Sequence, residues 1–266
     1  MSRKLNLDEP IIIGLHGPAG SGKTSVADSF VPGGVVNIVN QKIGNKDVPR
    51  YVIDHYWFAM PLYEMVSIKR NIEGQQRRDR QLYEIHRVLV DLFSNSPLYG
   101  APPYDELTTV VNQIQSMYLP DGKPRTFMQE VGDMCRFYDE DCFTKWMMRH
   151  IKNQANYQMR PTDDWDAPQF IAFASDIRYN NEAAMVANSP NGLVIEFTAD
   201  QEVLDKRIEK RDGYVMTEDQ KNHRSEALEV DPELIDITID TSTMTLEDQF
   251  NATKDFIFET FDIQPF

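Results

Sequence analysis

No apolar stretch in this sequence approaches the ~20 residues needed to cross a bilayer, so a membrane-spanning helix is not expected. Cysteine is nearly absent. The two present, Cys135 and Cys142, stand seven apart, which predicts one shared helical face and buried free thiols rather than a disulfide. The five histidines (16, 55, 86, 150 and 223) show no metal-ligand spacing, and no Ser/His/Asp or Cys/His nucleophile pattern emerges. Positive charge is scarce: 27 Lys and Arg face 42 Asp and Glu, for a net charge of −15. Such a surface repels polyanions unless its basic residues gather in one groove. Duplex DNA or an anionic membrane is therefore not expected as main partner, whereas a small nucleotide in a locally basic cleft is compatible. There is no internal repeat or low-complexity tract. Residues 1–10 lack an apolar signal core, which predicts a cytosolic protein.

What is present is a phosphate loop. Gly17-Pro18-Ala19-Gly20-Ser21-Gly22-Lys23-Thr24 fits G-x-x-x-x-G-K-[ST], led in by Ile11-Ile12-Ile13 and followed from Thr24-Ser25 by a helix-forming run. Strand, glycine turn and helix N-terminus together make an anion cradle of inward N–H groups and partial positive charge. Gly17, Ala19, Gly20, Ser21, Gly22, Lys23, Thr24 and Ser25 are thus the candidate ATP contacts. Lys23 reaches the β/γ-phosphates and Thr24 is the candidate Mg²⁺ ligand.

Periodicity around this loop predicts an α/β chain with a P-loop NTPase-type parallel sheet flanked by helices. Strands are expected at 11–16, 35–39, 51–53, 170–174, 193–197 and 235–239, with 40–49 a polar loop. The middle, about 61–152, reads as a mostly helical insertion, with 126–152 one long helix or two short ones. Helices are also predicted at 180–188, 203–210 and 245–261, the last begun by Thr245 with Asp248 three positions on. The expectation is a single domain, 1–266, with a lid region at about 200–225.

Three groups outside the loop have chemistry suited to phosphoryl transfer, which is mainly positioning and charge neutralisation. Gln129, Gly132 and Arg136 share one helical face near Arg125, where an arginine can hold a phosphate, and Trp146 offers a surface to stack a base. A solvated helix with a core tryptophan reads equally from those residues. Asp176 and Arg178 follow the 170–174 strand, where α/β sheets collect ligands, though Glu182 could pair with Arg178 along the helix. Arg207 and Arg211 lie four apart on a charged helix, either a lid that closes over ATP or a plain surface helix. Asp54 and Asp176, each ending a strand-like run, are alternative carboxylates for ordering Mg²⁺-bound water.

Several segments together resemble phage-type deoxynucleoside monophosphate kinases. They are the loop 17–25, Pro124-Arg125-Thr126-Phe127-Met128-Gln129-Glu130-Val131-Gly132 with Arg136 and Trp146, Ser175-Asp176-Ile177-Arg178-Tyr179-Asn180-Asn181-Glu182-Ala183, and His223-Arg224-Ser225-Glu226. Order and spacing agree from about residue 11 to 255. The resemblance implies transfer of the ATP γ-phosphoryl group to a deoxynucleoside 5′-monophosphate (dNMP), giving a dNDP for DNA synthesis in a host cytoplasm. It assigns acceptor contacts to Arg125, Gly132, Arg136, Trp146, Asp176, Arg178 and Glu182, and catalytic lid duty beside Lys23 to Arg207 and Arg211. Mg²⁺ with ATP is the implied cofactor; a homodimer stays open. The family's F-A-D-P-L-K segment is departed from at Phe58-Ala59-Met60-Pro61-Leu62-Tyr63, where Lys69 or Arg70 could compensate for the lost lysine. Two other classes share the loop: a kinase acting on a hydroxymethylated base in DNA, and a non-catalytic nucleotide-dependent switch.

Overall fold

The computed structural model describes residues 3–32, 37–43, 46–74, 76–94, 104–122, 124–161, 167–213, 217, 223, 226 and 230–263. The chain forms two compact units: Met1–Trp57, His150–Val215 and Glu226–Phe266 make one, Phe58–Arg149 with Met216–Ser225 the other. The second contains the helical middle expected near 61–152. The 200–225 stretch divides between the two units, and much of it lies outside the described residues, Arg224 and Ser225 included.

The first unit is an α/β layer structure built on a six-stranded sheet of order β2-β3-β4-β1-β5-β6. Five of its strands run parallel: β3 (Lys46–Trp57), β4 (Gln169–Ile177), β1 (Ile11–His16), β5 (Asn191–Thr198) and β6 (Ile237–Asp240). β2 (Asn37–Ile43) adds antiparallel to β3 at one edge. The expected polar loop at 40–49 is therefore a hairpin. Polar edge strands are invisible to apolar periodicity, and Pro49, which has no N–H, pairs with Asn40 where the register shifts. β3 also runs past Asp54 to Trp57, so Asp54 does not end a strand.

β1 is buried at every position, which is why it reads as a continuous apolar run rather than an alternating one. Its odd-numbered residues Ile11, Ile13 and Leu15 pack with Val26, Ala27 and Phe30 of α1 (Lys23–Phe30) and with Ile257, Phe258 and Phe261 of the closing helix, α9 (Leu246–Phe261). Phe30 stacks on Phe173 of β4 at 4.5 Å between ring centroids. On the opposite face, Val186 of α7 (Asn180–Ala187) sits where a side chain on Gly14 would project. Helices following β1 and β4, which are neighbours, thus leave to opposite faces, the arrangement at which open α/β sheets collect ligands at the strands' carboxyl ends. α9 starts at Thr245, whose hydroxyl accepts from Asp248 N while the Asp248 carboxylate accepts from Thr245 N.

The second unit packs α2 (Met60–Asn71), α3 (Arg77–Phe93), α4 (Tyr104–Ser116), α5 (Arg125–Tyr138) and the start of α6 (Cys142–Gln158) around Met65, Ile85, Leu89, Phe127, Val131 and Phe143. The 126–152 stretch is two helices. Asp139 takes an extended backbone and its carboxylate accepts from Asp141 N and the Lys145 ammonium, turning the chain. Cys135 and Cys142 therefore lie on separate helices, not on one face. Both are buried and free, and burial pushes the Cys135 thiol up to about 12.

Lys69 does not replace the missing acceptor lysine. Its buried ammonium donates to Ile114 O, Gln115 O and Met117 O at 2.7–2.8 Å, closing the C-terminus of α4 where carbonyls lack helical partners. Arg70 likewise holds the turn carbonyls of Pro120 and Gly122. Lys69→Met strands three acceptors, so it is expected to lower stability by about 1–3 kcal/mol in urea unfolding. A loss confined to activity, with stability unchanged, would return Lys69 to the site.

Candidate functional site

The loop between β1 and α1 exists because three of its positions exclude side chains. Gly17 has φ +130°, and a Cβ there would sit 2.1 Å from Phe197 O; Gly22 has φ +103° and is met at 2.3 Å by Gln249 Oε1. Gly20, at φ +85°, lies against Leu204. Gly22 caps α1 with no side chain, and the first turn-closing bond is donated by Val26 N to Gly22 O. The helix-opening N–H groups of Lys23, Thr24 and Ser25 are of the kind that anions satisfy. Thr24 and Ser25 are exposed, whereas Ser21 is fully buried and Ala19 nearly so.

Lys23 is 5 % exposed and folds back over the loop, donating to Gly17 O at 2.7 Å and Pro18 O at 2.8 Å. Burial, and then the charge of Arg178, lower its pKa to about 7. Asp176 and Glu226 act in the opposite direction, and Arg211 adds repulsion. The charges of Asp176, Arg178, Glu226 and Arg211 thus all bear on one ammonium.

Asp176 is placed by a β-bulge. Leu15 pairs with Ser175 but His16 pairs with Ile177, so Asp176 is the extra residue, held at φ +73°. Bulges re-aim a side chain beside functional sites, and a left-handed backbone is tolerated by aspartate at some cost. Its carboxylate accepts from Arg178 Nε at 2.9 Å, and the same guanidinium donates to Glu226 Oε2 at 2.8 Å. These two acids hold the buried Arg178 well above even the usual arginine range. The alternative pairing of Arg178 with Glu182 is not the one formed. Glu182, 1 % exposed, accepts instead from the backbone N–H groups of Arg178 and Tyr179, capping α7. Asp54 accepts from His55 N, and its charge and hydrogen bond add to the burial that drives the Tyr56 phenol upward. Asp176 and Glu226 are the two carboxylates whose charges act most on Lys23.

Arg207 and Arg211 on α8 (Gln201–Asp212) part company. Arg207 donates to Gly20 O, Thr241 Oγ1 and Thr241 O, while Thr241 Oγ1 lies 3.0 Å from Ser21 O, bracing the loop from behind. A charged helix with i, i+4 arginines carries no sign that one is a strut. Arg211, about half exposed, pairs with Asp212.

In the helical unit, Arg136 lies over the Phe143 ring at 4.6 Å, and a Cβ on Gly132 would meet its Nη1 at 3.1 Å. Gly132 is thus the space that lets Arg136 fold along α5. Arg125 is buried, and Gln129 is half-buried on the same helix. Trp146 does not present a stacking face. It is 5 % exposed, and its indole N–H donates to Asp91 Oδ2 at 2.6 Å, an acid also held by Arg149. His223 contacts Asp133 at 3.1 Å. Met60 and Tyr63, at the departure from the F-A-D-P-L-K pattern, are partly exposed in the first turn of α2.

Fold and loop define the class: an α/β protein whose first parallel strand runs into a G-x-x-x-x-G-K-[ST] loop at a helix N-terminus. No protein-family model matches the chain, and none of the curated proteins does. Among solved structures, a Thermus thermophilus protein is similar at 16 % identity and TM-score 0.40, covering 94 % of this chain and 98 % of its own. An uncharacterized Eubacterium ventriosum protein shares 13 % at TM-score 0.38, over 94 % and 98 %. An unliganded Janibacter sugar kinase shares 12 % at TM-score 0.41, over 97 % and 100 %. Likeness this distant carries no functional argument. Among the described residues no helix is long and apolar enough to cross a membrane, and no group of three or more His, Cys, Asp or Glu could hold a metal ion.

The buried Lys23 sets a pH dependence. Its pKa in the folded chain, about 7, lies below the ~10.4 of an exposed lysine, so the unfolded chain binds the extra proton between those values. Stability from this group is therefore fully present above ~10.4 and is lost as pH falls toward 7, by up to about 1.4 kcal/mol per pH unit. Urea unfolding at pH 7 and pH 9 should show the wild type gaining on Lys23→Met as pH rises. A gap that stays flat across that window would mean Lys23 is not desolvated.

Proposed function

We propose that the chain is a deoxynucleoside monophosphate kinase, moving the γ-phosphoryl group of ATP onto the phosphate of a dNMP to release a dNDP for DNA synthesis. The observation carrying this reading is Lys23, 5 % exposed in its glycine loop and hydrogen-bonded to Gly17 O and Pro18 O, with the Asp176–Arg178–Glu226 cluster among the charges that act on it. A cation pre-placed out of water gains strength against the spreading charge of a transferring phosphoryl group. The resemblance of 124–132, 175–183 and 223–226 to dNMP kinases supplies the acceptor class.

In this reading the helix-opening N–H groups and Lys23 hold the triphosphate tail. Arg178 exchanges part of its pairing with Asp176 and Glu226 for a phosphate oxygen, a swap suited to a guanidinium. Arg211, the exposed member of its pair, closes over the donor and keeps water from the γ-phosphate. Arg207 keeps the loop rigid. On α5, the resemblance gives the acceptor contacts to Arg125, Gly132 and Arg136. No protein base is needed, because the acceptor phosphate is already an anion at neutral pH. Thr24 and Asp176 offer the hard oxygen donors that Mg²⁺ takes, with phosphates and waters supplying the remainder. When bound, the ion neutralises charge on the β- and γ-oxygens.

ADP release measured against the four natural dNMPs and their hydroxymethyl-pyrimidine forms tests the reading. Acceptor-dependent release is expected with at least one, and Lys23→Ala should abolish it. Arg178→Ala should raise the acceptor KM about tenfold or more, with the KM for ATP close to wild type. Absence of acceptor-dependent release across the panel rejects the proposal; an unchanged acceptor KM removes Arg178 from it.

A further inference from the structure

A hydrogen-bonded chain of Asp, His and Ser runs through the first unit, although nothing in the spacing of 28, 55 and 175 announces it. Asp28 Oδ1 on α1 lies 3.0 Å from His55 Nδ1, and His55 Nε2 lies 2.6 Å from Ser175 Oγ. Strand alternation puts His55 on the α1 face of β3, and the parallel register sets Trp57, whose ring touches the imidazole, opposite Ser175. Ser175 is fully buried, so its hydroxyl has no access to a substrate and the chain is no hydrolytic triad. It does sit immediately before the bulged, left-handed Asp176.

We propose that Asp28, His55 and Ser175 form a positioning relay that fixes the end of β4, so that the bulge directs the Asp176 carboxylate at the phosphate loop. The inference rests on the kinase reading for its consequence, but its geometry stands apart from it. An ionised Asp28 only accepts, so the network assigns the proton to Nδ1 and leaves Nε2 to accept from the Ser175 hydroxyl. Burial favours the neutral ring, with the nearby acids Asp28 on α1, Asp54 on its own strand and Asp176 on β4 opposing that trend. The relay thereby ties three elements, α1, β3 and β4, together at the residue before Asp176, whose left-handed backbone carries a cost. Without it, the bulge is free to relax and the carboxylate to leave the loop.

Two measurements test this. Side-chain ¹⁵N spectra of the ligand-free protein should show His55 protonated at Nδ1 and bare at Nε2. In Asp28→Asn that signature should be lost and the ¹³Cγ resonance of Asp176 should shift, although the substituted side chain touches neither Asp176 nor its chain neighbours. Asp28 is about half exposed, so this variant is expected to fold even where His55→Gln or Ser175→Ala does not. In the transfer assay, Asp28→Asn and Ser175→Ala should lower kcat about ten- to a hundredfold, as losses of orienting partners do, with both KM values within about twofold. Adding either to Asp176→Asn should cost little more than Asp176→Asn alone, because one carboxylate carries both effects. An Asp176 resonance unmoved by Asp28→Asn overturns the relay whether or not the protein is a kinase. Rate losses that add fully to that of Asp176→Asn overturn it as well. A failed acceptor panel with an intact spectroscopic result would instead sink the kinase reading and leave the relay standing.

Discussion

A lysine ammonium kept out of water is the constraint around which the first unit is arranged. Burying a charge is costly unless hydrogen bonds and counter-charges surround it. Here the loop carbonyls of Gly17 and Pro18 take the hydrogen bonds, and Asp176 and Glu226 supply the counter-charge while also bonding Arg178. The glycines are needed because the loop must curl tightly enough for Lys23 to reach its own carbonyls. The Arg207–Thr241 brace then holds the curl from outside. Each of these contacts has a purpose only because the others are present.

The second organising feature is the mismatch between β1 and β4. One extra residue on β4 breaks the pairing next to the loop and sets Asp176 in a left-handed backbone, its carboxylate on Arg178. A parallel sheet would otherwise continue its register and send that side chain to one face or the other. α1 and α7 leave β1 and β4 to opposite faces, and the bulge puts Asp176 at that divergence. The Asp28–His55–Ser175 chain ends on the residue before it.

The helical unit shows how composition misleads about function. Trp146, Lys69 and Arg70 are residue types that often meet ligands, yet each bonds within the unit to a carboxylate, to helix-end carbonyls or to turn carbonyls. The same holds for Glu182 in the first unit, an acid that caps a helix. Polar residues at helix ends and turns are needed to satisfy backbone groups that α-helices leave open, and a sequence cannot distinguish that use from binding. Local cues did place α5, α9 with its Thr245–Asp248 cap, and the buried strands β1, β4 and β5, because those depend on runs and periods within a dozen residues. The β2–β3 hairpin escaped because its strands are polar and lie at a sheet edge. Two helices were among the expectations for 126–152, but the break's place at Asp139 was not legible because no proline or glycine marks it.

By itself the sequence determined the strand–loop–helix at 11–30, since glycine spacing, the following lysine and the flanking apolar run act over a few residues. It also determined the α/β alternation at both ends and the helical middle. Only the tertiary structure decided which charged groups share a site. Arg178 meets Glu226 across 48 residues, His55 meets Ser175 across 120, and Arg207 meets Gly20 across 187. Such pairings are set by strand order and register rather than by neighbours in the chain. A one-residue bulge, which no local pattern encodes, then sets the left-handed backbone of Asp176 beside the loop strand.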